Sequence, residues 1–201
     1  RLPGIFRTVA LRSTPKVHIR DLNIFTNLDK KYKDGTLHIK ADIRNYYNKN
    51  IKGLSIKYTL YEHKLYTDEN NLVKSIFTTV KLPLINKKNA STISETEITV
   101  PNPNKWSAET PYLYTLVAEL KDSRGKTLEV VSSRIGFRKV ELKDTDAKDD
   151  EFGLAGRYFY INGKTVKLKG VNRHETNPEV GHAITRKMME AEIMLMKRAN
   201  I

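Results

Sequence analysis

Four consecutive polar residues, Asn172-Arg173-His174-Glu175, place an amide, a guanidinium, an imidazole and a carboxyl group side by side. Together these groups donate and accept hydrogen bonds, which suits a polyhydroxylated ligand. The four residues follow an alternating run, Thr165 to Lys169, whose pattern predicts a β-strand. Polar side chains just past the carboxyl end of a strand are where α/β enzymes place their chemistry. This polar cluster is therefore the first candidate for a functional site.

The polar cluster does not by itself predict a metal site or a complete hydrolytic centre. A zinc site of the His-Glu-x-x-His type needs a histidine spacing that His174 and His182 do not have. Glu175 is a conceivable general acid, but glycoside hydrolysis needs two carboxyl groups about 5–10 Å apart. Glu179, on the same loop, is the only other nearby acid. From the residues alone, a structural role for His174 is the simpler interpretation.

The neighbouring segments predict a hairpin before the cluster and a helix after it. Two alternating runs, Tyr158–Ile161 and 164–168, flank Asn162-Gly163, a dipeptide typical of tight hairpin turns. Thr185 is the predicted N-cap of a helix that runs from Arg186 towards Asn200. A strand, a polar loop and a helix form the first βα unit of a barrel.

The predicted helix carries an apolar stripe, Met189, Ile193 and Met196, at helical spacing. One βα unit cannot bury this stripe by itself. We therefore expect the stripe to pack on the preceding β-domain or on a second copy of the chain.

Most of the preceding sequence predicts a β-sandwich. Seven segments alternate apolar and polar residues, and turn signals such as Asp34-Gly35 and Arg124-Gly125 separate them. The segments lie near residues 17–24, 37–43, 54–60, 72–80, 93–100, 113–120 and 127–137. Seven strands without a helical period are typical of an antiparallel immunoglobulin-like sandwich. Trp106 and Tyr114 are expected to fix one corner of it, a carbohydrate-stacking tryptophan being the alternative.

Composition excludes several function classes. The chain has 36 Lys and Arg against 23 Asp and Glu, a formal charge of +13. The lysines are scattered along alternating strands and no nucleic-acid-binding motif occurs, so we expect no nucleic-acid partner. No apolar run reaches the roughly 20 residues that span a bilayer, so we expect no membrane association. With no Cys, disulfides and thiolate metal sites are excluded.

Five short motifs, in order along the whole chain, resemble glycoside hydrolase family 2 in its β-galactosidase branch. They are Gly4-Ile5-Phe6-Arg7, Pro103-x-x-Trp106-Ser107, Ile135-Gly136-Phe137-Arg138, Ile161-Asn162-Gly163-Lys164 and Gly170-Val171-Asn172-Arg173-His174-Glu175. The β-glucuronidases of the family tend to carry Lys where Arg173 stands, so Arg173 favours the β-galactosidase branch.

The resemblance implies a domain order. Residues 1–14 would be the last strand of a preceding jelly-roll domain, and residues 15–141 an immunoglobulin-like sandwich. Residues 158–201 would be the start of a (β/α)8 catalytic barrel. From their composition, residues 142–157, which are rich in Asp, are expected to form a mobile acidic linker, longer than the connection usual in the family. Because the sequence lacks an initiator Met, we expect it to belong to a longer polypeptide.

The resemblance also implies a retaining glycosidase that acts on β-galactosides. Its two catalytic glutamates and its Mg²⁺ ligands are expected beyond Ile201, so this chain is expected to hold no catalytic residue, metal or cofactor, and to be inactive alone. The position of His174 lines the galactose subsite in the family, while Asn172, Arg173 and Glu175 would shape or brace that pocket.

The implied partners are the substrate, the remaining domains and further copies in a homo-oligomer. The alternative interpretation is a non-catalytic sandwich module that contacts a glycan or a protein. Composition rich in Lys, Asn and Ile indicates a bacterial source and leaves cytoplasm and periplasm open.

Overall fold

Alternating apolar residues form two facing β-sheets within Thr14–Val166, the larger of two compact units. A computed structural model of the chain describes residues 9–62, 76–87, 89–150, 153–168 and 170–201. The smaller unit combines Arg1–Ser13 with Lys167–Ile201. The strand predicted in residues 1–12 lies mostly outside the described residues, and residues 9–12 have no regular secondary structure.

The first sheet contains β1 (Val17–Leu28), β2 (Gly35–Asn45) and β5 (Ala90–Val100), in the order β1-β2-β5. The second contains β3 (Ser55–Glu62), β4 (Ile76–Lys81), β6 (Tyr114–Lys121) and β7 (Thr127–Ile135), in the order β4-β3-β6-β7. All pairs are antiparallel. This arrangement confirms the predicted immunoglobulin-like sandwich, although residues 72–75 of the fourth predicted strand lie outside the described residues.

The inner faces of the central strands form the core. The alternating residues of β2 and β6 are essentially inaccessible to solvent: Leu37, Ile39, Ala41, Ile43, Leu116, Ala118 and Leu120. Burying each large aliphatic side chain contributes about 1.5–3 kcal/mol. Because the chain has no disulfide, these apolar faces carry the stability of the sandwich.

Two hydrogen bonds join β1 to β7 and to Gly136, which directly follows β7, at the edge where the sheets meet. The backbone N–H of Ile19 donates to Glu129 Oε2 at 2.6 Å, and the Thr26 hydroxyl donates to the Gly136 carbonyl at 2.8 Å. These bonds satisfy groups that an open sheet edge would expose to other chains.

A third sheet, in the order β10-β9-β8, contains β8 (Val140–Thr145), β9 (Gly156–Ile161) and β10 (Lys164–Val166). The hairpin predicted around Asn162-Gly163 is thus confirmed, with both turn residues at positive φ, 51° and 80°. A short 3-10 helix, Ala147–Asp149, lies between β8 and β9.

The mobile acidic linker predicted for residues 142–157 differs from this structure, because β8 and β9 occupy both of its ends. One of its acids, Asp144, is paired with Arg157 on the next strand although its side chain stays 77% exposed. Arg157 holds Asp144 through two hydrogen bonds of 2.8 and 2.9 Å, and this pairing lowers the pKa of Asp144. Cross-strand pairs of opposite charge stabilise a strand that looks too polar in sequence.

Helix α1 (Arg186–Arg198) begins at the predicted cap, since the Thr185 hydroxyl oxygen accepts from the Met188 N–H at 3.3 Å. None of its side chains is buried, and Ile193 is 49% exposed. The stripe of Met189, Ile193 and Met196 is thus not fully buried among the described residues, and its packing on a second copy of the chain stays a prediction. No helix of the described residues is long and apolar enough to span a membrane.

Candidate functional site

The polar cluster lies on an exposed, irregular segment. Strand β10 ends at Val166, so Asn172 follows it at a distance of six residues and does not directly continue the strand. Leu168, which the alternation assigned to the strand, is 72% exposed. All four residues of the cluster are exposed. The structure therefore brings Asn172, Arg173, His174 and Glu175 together as a surface segment.

A tight turn closes the loop that follows the cluster. The backbones of Asn177 and Gly181 exchange two hydrogen bonds, of 2.9 and 2.8 Å. The Asn177 side chain accepts from the Glu179 N–H at 2.9 Å, and Gly181 has a φ of 59°, a value that favours glycine. The turn makes the chain reverse direction and lead into the cap of α1.

Two further contacts hold the polar cluster in place. Nδ1 of His182 lies 3.2 Å from the Glu175 carbonyl oxygen, and Arg173 forms an ion pair with Glu192 of α1. The guanidinium of Arg173 is thus used to attach the cluster to the helix. Both partners are partly exposed, so the ion pair contributes little to global stability.

His174 and Asn172 remain available for a ligand. Among the described residues, none hydrogen-bonds the imidazole of His174 or the amide of Asn172. An imidazole and an amide offer both donors and acceptors, the combination that hydroxyl groups of a sugar require. The arrangement can bind and orient a polar ligand.

The described residues contain no group of three or more His, Cys, Asp or Glu side chains that could hold a metal ion. A Mg²⁺ ion prefers several oxygen ligands in octahedral geometry.

The Asn162-Gly163 turn is attached to the sandwich corner by hydrogen bonds that the sequence did not indicate. The Lys139 N–H donates to Asn162 Oδ1 at 3.0 Å, and Asn162 Nδ2 donates to the Trp106 carbonyl at 3.0 Å. A Cβ atom on Gly163 would lie 2.6 Å from the Tyr32 ring. The turn therefore fixes the direction of the hairpin that leads to the polar cluster.

Trp106 and Tyr114 both contribute to this corner, in different ways. The backbone N–H of Trp106 donates to the Phe137 carbonyl at 2.9 Å. The Tyr114 hydroxyl accepts from the Asn104 N–H at 2.8 Å, and its ring meets the Phe137 ring edge-on at 5.3 Å. Burial raises the pKa of Tyr114 to about 12.

A cleft of about 760 Å³ lies between β1 and β7 beside this corner. Its walls include Ile24, Phe25, Trp106, Arg134 and Arg138. The Arg138 guanidinium lies 4.5 Å from the centre of the Trp106 ring. Because a cation already stacks on Trp106, the structure favours the corner-fixing role over an open carbohydrate-stacking platform.

Tyr32, Glu141 and Lys143 form a second set of contacts that the sequence did not indicate. The Tyr32 hydroxyl donates to Glu141 Oε2 at 2.7 Å and accepts from Lys143 Nζ at 2.7 Å. The Tyr32 hydroxyl and then Lys143 lower the pKa of Glu141. More than 100 residues separate Tyr32 from its partners, so no local pattern could reveal the contact.

Two models of known protein families match this chain, one over the sandwich and one over the C-terminal part. The sequence model of the family Glycosyl hydrolases family 2 matches residues 17–138. The TIM barrel domain of Glycosyl hydrolases family 2 matches residues 152–201. The first match covers more than half of the chain and coincides with the sandwich. The second contains the polar cluster.

Individual relatives match nearly the entire chain. The β-galactosidase of Priestia megaterium is 39% identical over 202 residues, covering 100% of this chain and 18% of that protein. The β-galactosidase of Pseudoalteromonas haloplanktis is 39% identical over 201 residues, covering 99% and 17% respectively. The chain thus spans less than a fifth of the length of these curated relatives.

Among solved structures, an apo structure of Bacteroides uniformis β-glucuronidase 3 superposes with a TM-score of 0.66 at 29% identity. The superposition covers 96% of this chain and 20% of that one. The chain is thus similar in sequence to curated β-galactosidases and in backbone to a β-glucuronidase.

Proposed function

Because this chain belongs to family 2 of the glycosyl hydrolases, we propose that it forms part of a β-galactosidase. The enzyme would hydrolyse terminal β-D-galactosides and retain the configuration at the anomeric carbon. The observation that carries this proposal is 39% identity to curated β-galactosidases over the full length of the chain. The polar cluster lies in the part that the barrel-domain match covers.

In this proposal, His174 contacts a hydroxyl group of the galactose ring, and Asn172 supplies a second hydrogen bond. Two observations support these roles: both side chains are exposed, and both lack a hydrogen-bond partner among the described residues. Arg173, held by Glu192, keeps the segment against α1. Glu175 braces the same wall, with its carbonyl oxygen next to His182.

The proposed chemistry needs a proton donor and a nucleophile that this chain does not supply. A retaining glycosidase uses two carboxyl groups about 5–5.5 Å apart, one as acid and base and one as nucleophile. We assign both, and any Mg²⁺ ligands, to other parts of the full-length enzyme. We therefore expect the 201-residue chain to show no turnover of a nitrophenyl β-galactoside, and reproducible turnover by the purified chain would contradict this assignment.

The sandwich would serve as a spacer between the other domains and as a contact between subunits of a homo-oligomer. Its core is buried by residues of this chain alone, which supports such a role. Size measurement of the full-length enzyme, with and without substitutions on the exposed sandwich faces, tests this role.

The test of the proposed substrate is a panel of nitrophenyl glycosides given to the full-length polypeptide that contains this chain. The β-galactoside is expected to have a kcat/KM at least about 100-fold above that of the β-glucoside and the β-glucuronide. A site whose polar groups match the hydroxyl groups of one sugar leaves some of these polar groups without a hydrogen-bond partner when a different sugar binds. The β-glucuronide is the decisive competitor, since a β-glucuronidase shares the fold at 29% identity. Preference for the β-glucuronide would refute the proposal while leaving the family intact.

A further inference from the structure

One end of the sandwich concentrates positive charge. The antiparallel register brings the start of β1, the end of β2, the start of β3 and the end of β4 to the same end. Three segments there, 14–18, 44–53 and 81–87, contain six Lys or Arg residues and no Asp or Glu. The six are Lys16, Arg44, Lys49, Lys52, Lys81 and Lys87. We call this surface the basic end. The Asn162-Gly163 turn is attached at the opposite end, near Trp106.

The loops of the basic end are held in a fixed conformation by the fully buried Asn45. Its Oδ1 accepts from the Tyr47 N–H at 2.8 Å, and its Nδ2 donates to the carbonyls of Lys49 and Asn86 at 2.8 and 2.9 Å. Asn50 adds a bond to the Lys87 N–H at 2.9 Å. One buried amide therefore connects the loops that carry Lys49 and Lys87.

Two exposed tyrosines, Tyr46 and Tyr47, form cation–π contacts with cations of the basic end. The Nζ atoms of Lys16 and Lys49 lie 5.5 and 5.6 Å from the centre of the Tyr47 ring. Tyr46 stacks on His18 at 5.6 Å and lies 5.9 Å from the Arg44 guanidinium. Such cation–π contacts restrain the cationic side chains before a ligand binds. The side chains therefore lose less conformational entropy when a ligand does bind.

The cations of the basic end are not neutralised by carboxylates in the described structure. None of the ion pairs found among the described residues includes any of the six basic residues; within the sandwich the pairs lie on the sheet faces, as in Lys40–Glu95 and Arg20–Asp42. The neighbouring turn holds one carboxylate, Asp122, but it accepts backbone N–H groups from Arg124 and Lys126. That turn adds two further cations.

We propose that the basic end binds an acidic polysaccharide, a chain of sugars that bear carboxylate or sulfate groups. Closely spaced, pre-positioned ammonium groups attract a polyanion with repeated charges. Five of the six cations are lysines, which act as point charges, whereas nucleic-acid recognition favours the planar fork of arginine. The tyrosine rings already hold cations and form no open platform for bases. This surface includes no residue of the polar cluster, and the proposal does not depend on the proposed galactosidase activity.

The test compares two triple variants of the 201-residue chain. K16Q/K49Q/K87Q removes three charges from the basic end, while K30Q/K31Q/K33Q removes three from the exposed β1–β2 turn at the opposite end. Binding to heparin and to polygalacturonate is measured by calorimetry at about 50 mM and 200 mM salt. We expect K16Q/K49Q/K87Q to lose about tenfold in affinity and the control less than threefold. The wild-type affinity should fall with salt.

Three results would overturn the proposal. They are no binding of either polysaccharide by the wild-type chain at 50 mM salt, equal losses in the two variants, or tighter binding of a DNA duplex or of phosphatidylserine vesicles than of both polysaccharides. Melting curves verify that each variant is folded. If K16Q/K49Q/K87Q does not fold, the single variant Lys87→Glu replaces it. A loss of about threefold is then expected, and unchanged affinity overturns the proposal.

Discussion

Substitution of Asn162 measures how strongly the β9–β10 turn is attached to the sandwich. Asn162→Ala removes the side-chain hydrogen bonds to Lys139 and Trp106, each worth about 1 kcal/mol net. It also places alanine at a φ of 51°, which costs about 1 kcal/mol more. We expect the free energy of unfolding to fall by about 3 kcal/mol.

Two companion variants separate these contributions. Asn162→Gly removes the hydrogen bonds but tolerates the backbone conformation, so we expect a loss of about 2 kcal/mol. Asn102→Ala is the matched control, since Asn102 also has a positive φ, 41°, but its described side-chain bond is an exposed one to Lys105. We expect it to cost about 1 kcal/mol.

The assay is urea unfolding followed by the fluorescence of Trp106, the only Trp in the chain, whose carbonyl accepts the Asn162 bond. With a slope of about 2 kcal/mol per molar urea, Asn162→Ala should lower the midpoint by about 1.5 M. A shift below about 0.3 M, or equal shifts for Asn162→Ala and Asn102→Ala, would show that the turn is not held as described.

Two further stability predictions concern the core and the Tyr32 contact. Leu116→Ala, at a side chain with 0% exposure, should cost about 3 kcal/mol in urea unfolding, whereas Leu142→Ala, at 54% exposure, should stay within about 0.5 kcal/mol; similar losses would contradict the assigned core. The Tyr32 hydroxyl holds the pKa of Glu141 below its ordinary 4.5. Glu141 therefore stabilises the fold above pH 4.5, and this contribution is lost as the pH falls through the lowered value. Wild type should exceed Glu141→Gln in stability at pH 6 and lose that advantage progressively as the pH falls below 4.5, and a difference independent of pH would exclude this linkage.

The sandwich was predictable because its strands are half-buried. Residues such as Leu37 and Ile39 alternate with exposed polar residues, and this period reports which face meets the core. The helix start was predictable for a similar local reason, since Thr185 is a standard capping residue. The packing of the helix was not predictable in this way. An apolar residue such as Ile193 indicates an apolar surface but does not indicate which surface covers it.

The third sheet and its contacts were not predictable from local pattern. Strand β8 reads as an acidic linker because the cation that pairs with Asp144 is Arg157, on the next strand, and because the hydroxyl that donates to Glu141 belongs to the distant Tyr32. The end of β10 was misplaced because alternation at Leu168 continues without any surface to cover it. The polar cluster was found from residue types alone, whereas the attachment of Arg173 to Glu192 required the fold.

Replacement of His174 in the full-length enzyme tests most directly whether the polar cluster contacts the sugar. His174→Ala should lower kcat/KM for a nitrophenyl β-galactoside by about 10- to 100-fold, because a buried sugar hydroxyl would lose its partner. Glu179→Gln, on the same exposed loop, is the matched control and should change kcat/KM by less than about twofold. Melting temperatures of both variants should match that of the wild type, since neither side chain is buried. A kcat/KM of His174→Ala within twofold of wild type would contradict the assignment of this cluster to the substrate site.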